Sequence, residues 1–167
     1  MWETITNEES SETIATADDL STFSARYNLV LPDDYKAFHA IFGEGVLFNH
    51  FRIWGLSKIG KELEEIRERW QAFYRWTDPA SALSEDEIAD CVIIGDSFNA
   101  DELVLSPAHP NEIFYLPADK DKIVSLGVSL EGAINSLVED LRKEVARYPE
   151  DEQEEWDLRP VFNCEDF

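Results

Sequence analysis

The chain has 167 residues, 44% of them hydrophobic and 12% aromatic, and its net charge is −22, from 36 acidic residues against 14 Lys plus Arg. This composition suits one domain with a full core and excludes wholesale disorder. The charge argues against nucleic acid or an anionic membrane as a partner and favours a basic protein. Acidity that serves only solubility is the alternative explanation of the charge.

The N-terminal sequence and the cysteine content favour the cytoplasm. The first ten residues, MWETITNEES, lack the basic and apolar regions of a secretory signal. No run approaches the roughly 18 apolar residues of a transmembrane helix. Two cysteines, Cys91 and Cys164, do not make a disulfide framework. We therefore expect a cytoplasmic protein.

Two helices are predicted near the start of the chain, after an acidic N-terminal arm over residues 1–16. Thr16 is a good N-cap for the first helix, and Asp19 suits its positive end. Pro32 and Gly43 suit the two ends of the second helix. The predicted buried residues of the two helices are Leu20, Phe23, Tyr27, Tyr35, Phe38, Ile41 and Phe42.

A long helix is predicted over residues 57–75, after two short strands that meet near Asn49 and His50. Its apolar residues recur at steps of four and three, which places them on one side of a helix. They are Ile59, Leu63, Ile66, Trp70 and Phe73. Glu62 and Glu65 lie on the opposite, polar face. Residues 77–90 are interpreted as a linker.

Four strands and a closing helix are predicted in the second half of the chain. The strands are the apolar runs 91–95, 101–106, 112–116 and 121–126, separated by Gly, Pro, Asn and Asp. Short connections between consecutive strands imply antiparallel pairing. We therefore predict an α+β domain over residues 17–148, a mainly antiparallel twisted sheet flanked by helices. The predicted order is two helices, two strands, one helix, four strands and one helix, which starts after Ser129.

The C-terminal extension, residues 149–167, is acidic but not purely polar. It holds the apolar residues Trp156, Leu158, Val161 and Phe162. A tail that served only to solvate the protein would lack these side chains. We expect the extension to dock on the domain or on a partner.

The stretch IIGDSFNADELVLS, residues 93–106, raises the question of a metal-binding or catalytic loop, because it places several acids between two apolar runs. A calcium loop of the EF-hand type needs oxygen ligands at its third and fifth positions and Gly at its sixth. Counted from Asp96, those positions hold Phe98, Ala100 and Asp101. The template fails, and a turn between two strands is the simpler interpretation.

No other pattern of catalytic or metal-binding residues stands out. The three histidines, His39, His50 and His109, are not at zinc-ligand spacing with another His or Cys. No serine lies in a nucleophile elbow. The sequence therefore predicts no catalytic residue, no metal site and no cofactor. A hydrolase is the least favoured alternative, and it would show a deep pocket with carboxylates of perturbed pKa.

Four motifs, taken in order, resemble the SUKH superfamily. LPDDYKAFHAIFGEG resembles its opening helix, FRIWGLSKI its strand that ends in Gly-Leu, and CVIIGDSFNADELVLSP its central hairpin with a Gly-Asp turn. NEIFYLPADKDKIVSLGVSLEGAINSLVEDL resembles its closing strands and terminal helix. The resemblance covers roughly residues 17–146. It departs at Ala100, where a Gly is often seen, and it does not include the C-terminal extension.

This resemblance implies a non-catalytic protein-binding domain. Bacterial members are mostly cytosolic immunity proteins that neutralise a cognate toxin, often a nuclease. Related fungal proteins regulate cell-wall synthesis and signalling. With the net charge of −22, the expected partner is a cognate, basic protein toxin, possibly a nuclease, and a regulatory scaffold is the alternative.

Acidic residues in three parts of the chain are candidates for binding this partner, with the hairpin acids as first choice. The candidates are Asp96, Asp101 and Glu102 in the hairpin, Glu62 and Glu65 on the long helix, and Glu154 and Glu155 in the extension. The sequence does not show which of these acids cluster in space.

Overall fold

The computed structural model describes residues 5–7, 13–153 and 156–164. The helices are α1 (Ala17–Tyr27), α2 (Asp33–Ile41), α3 (Leu56–Ala72), α4 (Glu85–Asp90), α5 (Leu130–Val145) and α6 (Glu150–Gln153). The strands are β1 (Thr6–Asn7), β2 (Gly45–Leu47), β3 (Phe51–Ile53), β4 (Val92–Ser97), β5 (Glu102–Ser106), β6 (His109–Leu116), β7 (Val124–Gly127) and β8 (Val161–Asn163). Among the described residues, none of the helices combines the length and the apolar composition that a membrane span requires.

One sheet runs through the molecule in the order β1-β8-β2-β3-β4-β5-β6-β7. All neighbouring strands are antiparallel except β1 and β8, which are parallel. The predicted α+β class and mainly antiparallel sheet are therefore confirmed, and so is the predicted order of its main helices and strands. The structure adds β1, β8 and the short helices α4 and α6.

Side-chain caps explain where two of the helices begin. Thr16 forms a capping box with Asp19, in which each side chain accepts a hydrogen bond from the other's backbone N–H. The hydroxyl of Ser129 accepts from the N–H of Gly132 at 3.0 Å. Asp34, near the start of α2, accepts from the Ser129 hydroxyl and the Glu131 N–H. This carboxylate joins α2 to the start of α5.

The buried face of α3 follows the predicted stripe except at its last position. Ile59, Leu63, Ile66 and Trp70 are buried. Phe73 was expected to be buried but is 75% exposed. The helix ends at Ala72, and Phe73 leaves the helical conformation with φ −126° and ψ 34°. Its ring therefore falls outside the stripe.

The buried face of α2 differs from the prediction at one residue. Ile41 was expected in the core but is 52% exposed, whereas His39 is fully buried. Tyr35, Phe38, His39 and Phe42 are spaced as i, i+3, i+4 and i+7, which is the spacing of one helical face. Ile41 lies six residues after Tyr35 and points to the other side.

The predicted linker over residues 77–90 is wrong in its second half, which forms α4. Ser84 and Glu87 form a capping box at its start. Arg67 of α3 donates hydrogen bonds to the carbonyl oxygens of Asp90 and Cys91. The segment is therefore attached to α3 just before β4 begins.

The C-terminal segment lies at the β2 side of the sheet. Val161 and Phe162 of β8 are buried. The ring of Phe162 contacts the rings of Phe38 and Phe42, with centroid distances of 5.6 and 4.9 Å. A side chain at Gly45 would collide with the Phe162 ring, so glycine makes room for this contact.

Candidate partner-binding surfaces

The β4–β5 hairpin brings Asp96 and Glu102 directly opposite each other in the strand register. Asp96 is 8% exposed and Glu102 is 6% exposed. The two side chains therefore lie together as buried acids, an arrangement that costs free energy unless each charge is compensated. The structure compensates each with an arginine and a tryptophan.

Asp96 is paired with two residues of the neighbouring strand region. Its Oδ1 accepts from Arg52 Nε at 2.7 Å and from Trp54 Nε1 at 3.0 Å, and its Oδ2 accepts from the second arm of the Arg52 guanidinium. Arg52 and Asp96 are also register partners between β3 and β4. This fork-shaped pair is the strong geometry of an Arg–carboxylate contact.

Glu102 is paired with two residues near the end of α3. Its Oε1 accepts from the Arg69 guanidinium, and its Oε2 accepts from Trp70 Nε1 at 2.7 Å. Every oxygen of the two carboxylates thus already accepts a hydrogen bond from within the chain. A basic partner that used Asp96 or Glu102 would have to replace these internal donors.

Asp101 holds the end of the hairpin. Its Oδ2 accepts from the Ser97 hydroxyl at 3.0 Å, and its Oδ1 accepts from the Ala118 N–H at 2.8 Å. The turn closes with a hydrogen bond from the Ala100 N–H to the Ser97 carbonyl. Ala100 has φ 63°, a conformation that favours glycine. The predicted turn between the two strands is confirmed.

The outer face of α3 presents accessible acids. Glu62, Glu65 and Glu68 are exposed and recur every three residues, so their side chains lie along one line of the helix. None of the three forms a hydrogen bond or ion pair with another residue in the described part of the chain. Glu62 and Glu65, which the sequence predicted for the polar face, are therefore available to a partner.

Glu154 and Glu155 lie outside the described residues. The residues that follow them contact the body of the domain. Trp156 packs against His50, with ring centroids 5.7 Å apart. Asn49 donates a hydrogen bond to the carbonyl oxygen of Asp157 at 3.2 Å.

Two exposed phenylalanines near the hairpin were not identified from the sequence as surface features. Phe98, in the turn, is 58% exposed, and the Arg52 guanidinium lies 5.5 Å from its ring centroid. Phe73 follows α3, close to Arg69 and Glu102. The apolar periodicity of the sequence does not reveal that either ring is exposed, because Phe98 lies in a turn and Phe73 lies just past the end of α3. Arg52 and Arg69 were also missed, since they lie far along the chain from the acids they pair with.

Two further titratable side chains have a strongly shifted pKa and do not form a reactive site. Burial raises the pKa of the Cys91 thiol to about 12, so the reactive thiolate is disfavoured. The pKa of Glu87 falls to about 2, because its carboxylate accepts from Ser84 and lies 2.9 Å from His109 Nε2. Among residues 5–7, 13–153 and 156–164, no three His, Cys, Asp or Glu side chains form a group that could hold a metal ion.

Comparison with known proteins gives a family for this chain. No curated protein and no solved structure matches it significantly. The model of the SMI1/KNR4 family (SUKH-1) matches residues 14–136, which is well over half of the chain and includes α1 through the first part of α5. The four motifs that resemble the SUKH superfamily lie within or overlap this range. The chain therefore belongs to the SMI1/KNR4 family (SUKH-1).

Proposed function

We propose that this protein is a non-catalytic immunity protein that binds and neutralises a basic protein toxin. Family membership supports a protein-binding role of either the immunity or the regulatory kind. The net charge of −22 favours the immunity role, because toxins that act on nucleic acid must hold phosphates and are therefore basic. An acidic inhibitor is attracted to such a partner and competes with its substrate.

The observation that carries the proposal is the division of the acids between two environments. Asp96 and Glu102 are buried and fully paired, whereas Glu62 and Glu65 are exposed on α3 and have no side-chain partner among the described residues. In this proposal the α3 acids meet the toxin. Asp96, Asp101 and Glu102 instead hold the hairpin in shape.

Exposed acids act mainly on the rate of association. Their long-range attraction increases the on-rate at low salt, and it is screened when the Debye length shrinks to about 8 Å at physiological ionic strength. Reversing rim charges should therefore slow association more than it accelerates dissociation.

Co-expression with the product of the neighbouring gene tests the proposal. Growth rescue and co-purification are expected if that product is the cognate toxin. Association rates are then measured for Glu62→Lys/Glu65→Lys and for a matched control, Glu150→Lys/Asp151→Lys, which makes the same charge change on exposed residues of α6. We expect the α3 variant to associate about tenfold more slowly and the control to change less.

Two results would count against the proposal. Absence of both rescue and co-purification would favour a regulatory scaffold with a host partner. Rescue with rates that are insensitive to salt and to both charge reversals would show that the interface is apolar rather than acidic.

A further inference from the structure

A small cavity lies between the end of α3, the segment that follows it and the β4–β5 hairpin. Its volume is about 230 Å³, enough for one amino-acid side chain. It is lined by Arg69, Trp70, Phe73, Arg75, Trp76, Ala100 and Glu102. The proposed α3 acids do not line it, so it is a separate feature of the surface.

Apart from the Glu102 carboxylate, the polar side-chain groups that line the cavity are hydrogen-bond donors. Trp70 Nε1 donates to Glu102, and Trp76 Nε1 donates to the Pro117 carbonyl at 2.9 Å. Both oxygens of Glu102 already accept from Arg69 and Trp70. The two tryptophans and the carboxylate are therefore satisfied, and the guanidinium groups of Arg69 and Arg75 supply the remaining polar contacts.

Arg75 is the less occupied of the two cations. Its guanidinium lies 5.7 Å from the Trp76 ring centroid, and it forms no ion pair with any residue that the structure describes. Arg75 is exposed, and Phe73, two residues earlier, is 75% exposed. Arginine and aromatic side chains are also the types that most often dominate protein–protein interfaces.

We infer that this cavity binds an acidic side chain of a partner protein, with the carboxylate between Arg69 and Arg75 and a neighbouring aromatic residue on Phe73. A carboxylate supplies acceptors only, which matches the guanidinium donors of Arg69 and Arg75. The buried rings of Trp70 and Trp76 exclude water from one side of the contact and strengthen it. This inference goes beyond the proposed function and does not require the partner to be a toxin.

The test uses the full-length chain and a short peptide. The ¹⁵N-labelled protein is titrated with acetyl-Phe-Glu-Phe-amide, and the Trp76 indole and Arg75 backbone NMR signals are followed. We expect saturable shifts at these residues. The analogue acetyl-Phe-Gln-Phe-amide should bind about tenfold more weakly, because a charge-assisted hydrogen bond is lost.

Arginine variants locate the contact. Arg75→Gln should weaken binding of the Glu peptide about tenfold, because it removes one of the two cations. Arg26→Gln is the matched control, since Arg26 is also an exposed arginine over an aromatic ring, with its guanidinium 5.1 Å from the Tyr27 centroid. It should leave binding unchanged.

Three outcomes would overturn the inference. Equal binding of the Glu and Gln peptides would show that the charge is not recognised. An unchanged affinity in Arg75→Gln would place the site elsewhere. Shifts of the same size with inorganic phosphate at equal concentration would show a general anion site.

Discussion

Replacing His39 by leucine should reduce the stability that this domain loses between pH 7.5 and pH 5. His39 is fully buried, and neither of its ring nitrogens has a hydrogen-bond partner among the described residues. Its ring contacts that of Tyr35, with centroids 4.5 Å apart. Burial lowers the pKa of His39 from 6.5 to about 4, because the charged imidazolium would lose its hydration.

The direction of the effect follows from the two pKa values. The unfolded chain takes up the His39 proton as the pH falls below about 6.5, whereas the folded chain takes it up only near pH 4. Between these values the unfolded state binds more protons, so acid favours unfolding. The free energy of unfolding that is lost because His39 stays neutral in the folded state is negligible well above pH 6.5. This loss grows as the pH falls. It reaches about 2 kcal/mol at pH 5, since each pKa unit corresponds to about 1.4 kcal/mol.

Urea unfolding at pH 7.5 and pH 5 measures this cost. Between pH 7.5 and pH 5, the free energy of unfolding of His39→Leu should rise by about 2 kcal/mol relative to that of the unmodified protein. Tyr35→Phe is the control, because it removes another buried and unpaired polar atom that does not titrate in this range. Its stability difference should be the same at both pH values. If His39→Leu also shows no pH-dependent difference, the reasoning about His39 is refuted.

Three further predictions concern the core and the hairpin. Trp70→Ala should lower the free energy of unfolding by about 3–5 kcal/mol, since it opens a cavity and leaves Glu102 Oε2 without its donor; an unchanged melting temperature would contradict this. Asp96→Asn should lower the free energy of unfolding by about 2–3 kcal/mol, because the substitution leaves the Arg52 charge without its partner. Arg52 is partly exposed, so this cost is smaller than that of breaking a fully buried ion pair. A double-mutant cycle with Arg52→Met should show coupling between the two residues. Ala100→Gly should raise the free energy of unfolding by up to about 1 kcal/mol, because glycine adopts the left-handed backbone conformation of this position without strain. Equal or lower stability in thermal unfolding would argue against strain at the turn.

Local patterns were enough to predict the four longer helices and most of the sheet. The stripe from Ile59 to Trp70 has a period that only a helix explains, and the Thr16 cap marks a helix start by chemistry that acts over three residues. The Ser84–Glu87 capping box carries the same kind of signal. It marks the start of α4, although the composition of the surrounding residues is typical of a linker.

Features that depend on distant residues were not predictable. The partner of Asp96 is Arg52, 44 positions earlier in the chain, and their meeting depends on the strand order of the sheet. The same holds for Arg69 and Glu102 and for the cavity beside them. Charge and composition identified the acids, but only the three-dimensional arrangement separates those with internal partners from those without.

The position of β8 has a consequence for how the protein is made. Asn49 and Asn163 are joined by a side-chain hydrogen bond although 114 residues separate them. Phe162 covers the rings of Phe38 and Phe42, which are synthesised much earlier. Until β8 leaves the ribosome, the β2 edge and this aromatic cluster are uncovered. An open strand edge beside an apolar surface is a site for wrong pairing, so the emergence and pairing of β8 close a period in which the nascent chain is exposed to aggregation.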